Sequence, residues 1–402
     1  MDASELERAY RGEATRIRAL LARRLGDVGL AEELVQDAFV EALEHWQTDG
    51  VPANPGGWLT TTAWRKALDR QRRAKAGQEK LALVAITQDR LGPESGADEN
   101  DDLLSLVFAC CHPALPADSQ VALTLRAVCG LTTAEIAAAF LASEQAMAQR
   151  LSRARRTLRD EGVAVRVPDP DQLSERLAAV LAVVYLVFNE GYLASAGRAP
   201  ARRDLAAQAV SLARLLHRLM PRDPEVLGLL ALLLLHESRA AARFDGWGRL
   251  IRLAEQDRSR WDHGLAAEAT GLLDRAIALR SPGPYQVQAA IAALHAAAGD
   301  YQQTDWQQIR LLYDSLLAMT PSPVVRLNRA VATRFAVGPE AALAEVEPLA
   351  AELNDYRLFH AVRAELLTAI GRTADARAAN ERALALAANP AERELIARRL
   401  DS

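Results

Sequence analysis

Apolar residues recur along this chain at steps of three and four from one end to the other, and no stretch alternates apolar and polar residues over the length of a strand. No Asn-Gly hairpin signal interrupts the pattern. The chain is therefore expected to be all-α. With 402 residues, 50% of them hydrophobic and 25% charged, it is long enough for two or three domains, each with a core, and its composition is not that of a disordered chain. Cys110, Cys111 and Cys129 are too few for a disulfide scaffold and form no CxxC pair, which favours a reducing, cytoplasmic setting. The longest apolar runs, Leu177 to Phe188 and Val226 to Leu235, are shorter than the roughly 20 residues of a bilayer span, so no membrane role is expected.

Charge is nearly balanced overall, 48 Lys and Arg against 52 Asp and Glu, which argues against indiscriminate coating of nucleic acid. Locally it is not balanced. Arg65, Lys66, Arg70, Arg72, Arg73, Lys75 and Lys80 face only Asp69 and Glu79, and residues 150–159 carry arginines with no acid. Each stripe can neutralise a few phosphates. Between them, Asp89, Glu94, Asp98, Glu99, Asp101 and Asp102 lie among Gly and Pro, as in an acidic linker. A second boundary is expected at Val165 to Asp171, where two prolines and two aspartates stop a helix. The resulting organisation is 1–85, a linker over 86–102, then 103–165 and 171–402.

The last segment is rich in Ala and Leu and is punctuated at helix-pair spacing by Pro221, Pro224, Pro284, Pro321, Pro323 and Pro339. Near its end, Ala364, Gly371, Ala376 and Ala383 fall where the 34-residue tetratricopeptide pattern needs small residues or a turn; Asn380 replaces an aromatic and Pro390 arrives late. A tetratricopeptide-like array of helical hairpins is expected.

Three blocks carry chemistry. In AEELVQDAFVEALEHW, the residues Leu34, Val35, Ala38, Phe39, Ala42, Leu43 and Trp46 form one apolar stripe, with Gln36, Asp37, Glu41 and Glu44 outside it. In PANPGGWLTTTAWRKALDRQRR, a helical wheel puts Leu59, Ala63, Trp64, Ala67 and Leu68 on one half. Thr61, Thr62, Arg65, Lys66, Asp69, Arg72 and Arg73 fall on the other, a mixture suited to a nucleic-acid surface. The third block reads as a helix-turn-helix: Thr132 and Glu135 form a capping box, and Ser143 can cap the next helix. On that helix Met147, Leu151, Ala154 and Leu158 point inward, and Gln145, Gln149, Ser152, Arg153 and Arg156 point outward. Gln can pair bidentately with adenine, and Arg with guanine or phosphate, as a recognition helix requires.

In order and spacing, the three blocks over residues 5–162 resemble regions 2 and 4 of the sigma-70 family, in the compact extracytoplasmic-function (ECF) group of bacterial RNA polymerase sigma factors. The extension resembles the subgroup with a long C-terminal helical domain. The resemblance implies that Leu34, Val35, Gln36, Asp37 and Phe39 dock on the clamp of the largest core-polymerase subunits, that region 4 meets the flap, and that the second block melts and reads the −10 region. Within it the loop from Gln47 to Gly57 corresponds to the one that captures a flipped base, with Asn54 as the contact. Thr61, Thr62, Arg65, Lys66, Asp69, Arg72 and Arg73 follow on the helix. The recognition helix, with Ser143, Gln145, Gln149, Ser152, Arg153 and Arg156, corresponds to the −35 reader. Family members usually carry Ile at the position of Thr62, Asn at that of Arg65, a turn glycine at that of Leu141 and Thr at that of Ala146, which bears on promoter sequence more than on class.

No Gly-rich phosphate loop, HExxH or GxSxG motif occurs, so the chain is read as no enzyme, with no cofactor and no metal. Cys110, Cys111 and His112 are read as buried small residues rather than ligands, since no fourth ligand stands at a usual spacing. Phe188 to Tyr192, with His236 and Glu237, are polar groups beside apolar helices, where either a ligand pocket or interhelix hydrogen bonds would fit. The acid and base mixture around Trp261 suggests helix-end packing. The expected function is promoter-specific transcription initiation controlled by the fused domain, with core polymerase, promoter DNA and a protein or peptide on the extension as partners. A dimeric helix-turn-helix regulator with a helical sensor domain and a tetratricopeptide-like scaffold are the alternatives, and only the sigma reading needs the LVQDAF helix.

Overall fold

The computed structural model describes residues 3–76, 99–140, 142–193 and 201–400. The chain divides into two compact units, Met1–Val184 and Tyr185–Ser402. Both are helical; among the described residues the only β pairing is an isolated bridge between Phe244 and Leu250, across the turn that holds Asp245 and Gly246.

The first unit contains α1 (Ala3–Leu25), α2 (Val28–Asp49), α3 (Pro55–Ala76), α4 (Glu99–Cys110), α5 (Ala117–Ala127), α6 (Thr133–Ala139), α7 (Glu144–Asp160) and the start of α8 (Pro170–Tyr192). Asp27 begins α2 by accepting from Gly29 N and Leu30 N at 2.8 and 3.0 Å, and Gly50 ends it at φ 80°, a left-handed turn that glycine adopts without strain. Helices α1, α2 and α3 pack together, and α1 also packs on α4.

Most of the expected acidic linker lies outside the described residues, but its C-terminal end differs from expectation. Glu99, Asp101 and Asp102 belong to α4, and Asp102 is 6% exposed because Arg23 of α1 binds it at 3.0 Å. The expected helix break at Val165 to Asp171 spans the end of the stretch between α7 and α8 and the first turn of α8, while the two compact units divide further on, after Val184. Pro170 opens α8, where its missing N–H costs nothing. In its first half Leu177, Val180 and Leu181 are buried, and Arg176 donates to the Phe108 carbonyl at 2.7 Å.

The second unit continues with α9 (Arg203–Leu219), α10 (Pro224–Ser238), α11 (His263–Ala278), α12 (Pro284–Ala297), α13 (Trp306–Met319) and α14 (Pro323–Ala336). Then come α15 (Pro339–Val346), α16 (Ala350–Leu353), α17 (Arg357–Ala369), α18 (Thr373–Leu386) and α19 (Pro390–Leu400). Four of the prolines read as punctuation, Pro224, Pro284, Pro323 and Pro339, stand in the first turns of α10, α12, α14 and α15. Helix α10 is apolar on every side, and Val226 to Leu235 are all buried because α9, α11 and α12 surround it. At the other end, α17 and α18 form a hairpin around buried Ala364, Ala376 and Ala383, with Gly371 at φ 79° in the turn.

Candidate nucleic-acid and polymerase interface

The local predictions for the helix-turn-helix agree with the structure in detail. Thr132 N and Oγ1 both donate to Glu135 Oε2, at 2.7 and 2.8 Å, while Glu135 N donates to Thr132 Oγ1 at 3.1 Å, so the capping box closes from both sides. Ser143 Oγ accepts from Ala146 N at 3.2 Å and starts α7. Met147, Leu151, Ala154 and Leu158 are buried, and Gln145, Gln149, Ser152, Arg153 and Arg156 are exposed along one face. Leu141 lies outside the described residues.

The neighbouring edge of α7 is occupied. Arg155 Nη2 reaches Glu32 Oε2 of α2 at 2.5 Å, and Arg126 Nε of α5 reaches the other oxygen of the same carboxylate at 2.5 Å. Arg159 binds Asp27 Oδ2 at 2.9 Å while Oδ1 caps α2. Thr15 and Arg18 of α1 donate to backbone carbonyls at the end of α5. The helix-turn-helix is thus closed on α1 and α2, and Gln36 lines the groove of about 290 Å³ between α2 and α7.

On α2, Leu34, Val35 and Phe39 are 1%, 1% and 6% exposed, so these members of the expected docking block hold the core and present no surface. The exposed face carries Gln36 and Asp37 together with Val40 and Leu43, at 56% and 40% exposure. Leu43 was expected inside. The stripe of α2 is narrower than the wheel suggests because α1 and α3 cover only one side, which leaves two apolar residues exposed between acids.

On α3, Thr61, Arg65 and Arg72 are exposed, Lys66 and Asp69 are half-buried, and nothing is described of the Arg73 side chain. Thr62, expected on the polar half, is 3% exposed, since α2 covers it where both helices line one cavity. Several cations are held by acids: Lys66 by Glu41 at 2.7 Å, Arg70 by Glu33 at 2.7 Å and Arg72 by Asp69 at 3.6 Å. Arg65 has no carboxylate partner among the described residues. Asn54 is exposed, but its Oδ1 accepts from Gly57 N at 2.8 Å and fixes the first turn of α3, which leaves only its amide group for a base.

Beside Arg65 opens a pocket of about 340 Å³ lined by Glu41, His45, Trp46, Trp58, Thr61 and Thr62 among others. Trp58 meets the edge of Trp46 at 5.5 Å and the His45 ring at 6.2 Å. Sequence periodicity counts Trp46 toward the core and leaves His45 and Trp58 without a role; two aromatic residues and a histidine bracketing the loop from Gln47 to Gly57 were the signal available. The pocket has the volume and aromatic walls to take a single unstacked base, with a cation at its rim.

The cysteine cluster is chemically quiet. Burial pushes the thiols of Cys111 and Cys129 up to about 11 and 12, so both stay protonated, and Cys111 Sγ lies 3.4 Å from the Thr124 hydroxyl.

Comparison with known proteins agrees with this geometry. Residues 9–77 match Sigma-70 region 2, residues 105–158 match Sigma-70, region 4, and residues 176–277 match a family of unknown function (DUF6596). The chain is 46% identical over 387 residues to Uncharacterized protein R00370 of Rhizobium meliloti (strain 1021), covering 95% of this chain and 92% of the relative. It is 29% identical over 158 residues to ECF RNA polymerase sigma factor SigK of Mycobacterium ulcerans (strain Agy99), 38% of this chain and 82% of that one. With ECF RNA polymerase sigma factor SigJ of Mycobacterium tuberculosis (strain ATCC 25618 / H37Rv) it shares 30% over 172 residues, 40% of this chain and 53% of that one. The first unit thus carries the two conserved modules of a sigma factor. The chain belongs to the sigma-70 family, in its extracytoplasmic-function group, with a helical C-terminal extension.

Proposed function

We propose that this chain directs core RNA polymerase to promoters and assists −10 melting, in the cytoplasm and without enzymatic activity of its own. One observation carries the reading: a base-sized aromatic pocket opens beside the basic helix α3, in the same unit as a capped helix-turn-helix with a polar outer face. Gln36, Asp37, Val40 and Leu43 form the polymerase-docking face in this reading, with Leu34, Val35 and Phe39 supporting it from beneath. Asn54, Thr61, Arg65, Lys66, Asp69, Arg72 and Arg73 serve the −10 side, and the exposed residues of α7 serve the −35 side. The ion pairs that α2 makes with α3 and α7 neutralise cations that DNA would otherwise attract, so the free chain binds promoters weakly. We further propose that the second unit controls this activity and offers a surface to a protein or peptide.

Purified chain added to core polymerase should give specific transcripts that neither gives alone. Failure to associate with core polymerase would remove the sigma reading. A chain ending after Tyr192, which keeps α8 entire, should transcribe at a clearly altered rate; a rate and response equal to the full chain would show that the extension controls nothing. Gln149→Ala should shift the −35 preference by roughly 1 to 3 kcal/mol at one base pair, measured by binding across single-base promoter variants. An equal loss on every variant would make Gln149 a positioning contact.

A further inference from the structure

The second unit contains a group of arginines with no carboxylate at ion-pair distance among the described residues. The guanidinium carbons of Arg239 and Arg258 lie 5.8 and 4.6 Å from the centroid of the same Trp261 ring, and Arg243 stacks over Tyr192 at 3.4 Å. Among the described residues none of the three has an acidic oxygen within ion-pair distance. Of the carboxylates in their neighbourhood, Glu237 is bound by Arg203 and Glu392 by Arg357, while Asp300, hydrogen-bonded by Gln303, acts on Arg258 only from beyond ion-pair distance.

Part of this arrangement is structural. Arg243 donates to the Tyr192 carbonyl at the end of α8, and Arg258 to those of His295 and Ala298 at the end of α12, where the helix dipole favours a cation. Arg239 is the C-cap residue of α10, where a cation is likewise favoured, but its guanidinium donates to side chains: Nη2 to Tyr192 Oη at 3.1 Å and to His236 Nδ1 at 2.7 Å. Arg239 Nε, Arg258 Nη2 and Trp261 Nε1 are buried and have no protein partner, and neither has His295 Nδ1. Trp261 itself is 5% exposed. Burial and the adjacent arginines hold the imidazole of His295 down at about 4 and that of His236 lower than usual, so neither adds charge at neutral pH. Buried charge is ordinarily paired, and guanidinium N–H groups together with an indole N–H are donors without an acceptor.

We propose that the second unit binds a small anionic group, a phosphate or a carboxylate, between Arg239 and Arg258, with the Trp261 indole N–H as a third donor. Arginine is over-represented wherever a carboxylate or phosphate is held by charge-assisted hydrogen bonds, and two guanidinium groups lie beside this one indole. The inference does not depend on the transcriptional reading, because its test measures binding rather than transcripts.

The test is isothermal titration of the full chain with inorganic phosphate and, separately, with acetate, at fixed ionic strength against chloride. Saturable binding is expected, weakened at least tenfold by Arg239→Gln and also by Trp261→Phe, each shown by circular dichroism and melting to remain folded. Arg153→Ala with Arg156→Ala, on the DNA-facing helix, should leave that binding unchanged. Phosphate binding without acetate binding assigns a phosphate-bearing ligand, and the converse a carboxylate. Binding that is absent for both anions, or that survives Arg239→Gln at full strength, overturns the site.

Discussion

Replacing Glu32 with alanine is expected to cost the free chain about 3 to 5 kcal/mol, seen as a drop of roughly 10 °C in the melting of the first unit. The carboxylate is 4% exposed and each of its oxygens receives a different arginine, Arg126 and Arg155, whose side chains are only 13% and 24% exposed. Removing it leaves two guanidinium groups facing each other across a desolvated gap. The cost has a ceiling, because the helix-turn-helix can swing away from α2 and let both arginines hydrate. In that case the loss equals the free energy of opening and the radius of gyration rises. Such opening is what promoter binding demands under the proposed function: elements at −10 and −35 lie about 85 Å apart along B-DNA at 3.4 Å per base pair, whereas α2 and α7 here share a salt bridge. Glu32→Gln, which keeps an acceptor, should cost less than alanine. A variant that melts like the parent and stays as small would show that the Glu32 contacts hold nothing.

What the sequence disclosed and what it hid divide along one physical line. The capping box of Thr132 and Glu135, the Ser143 cap and the inner stripe of α7 are set by residues three or four apart, and all appear as expected. Thr62 and Leu43 were misplaced because whether a helix position is buried depends on which neighbour covers it, and the wheel contains no neighbours. Asp102 reads as one more acid in a Gly- and Pro-rich run until α1 brings Arg23 to it across 79 positions of chain. The role of Glu32 was hidden for the same reason: its partners stand 94 and 123 positions away. In the candidate site, the basic helix and the recognition helix were legible from pattern, while the walls of the aromatic pocket were not, since Trp46 and Trp58 meet only after the loop between α2 and α3 closes.

Gly191→Ala should destabilise the second unit by about 3 kcal/mol, the upper end of what overpacking usually costs. A methyl group built there would lie 2.2 Å from the backbone nitrogen of Ala206, 2.8 Å from its Cα and 2.9 Å from the Arg202 carbonyl. All three are main-chain atoms, so no side chain can turn aside, and the start of α9 must back away from α8. The retreat would also stretch the 2.8 Å hydrogen bond from Arg202 N to the Gly191 carbonyl. Gly191 lies within the Phe188 to Tyr192 run that sequence reading offered as pocket or packing, and at this position the geometry is packing. Gly271 supplies the opposite case on the same unit: it sits inside α11 with nothing within 4 Å of its would-be methyl. There alanine lowers the backbone entropy of the unfolded chain and should stabilise by roughly 0.5 to 1 kcal/mol. Urea unfolding of the two variants should therefore move the midpoint in opposite directions. If Gly191→Ala unfolded at the parental midpoint, the close approach of α9 to α8 would not be a feature of the folded chain in solution.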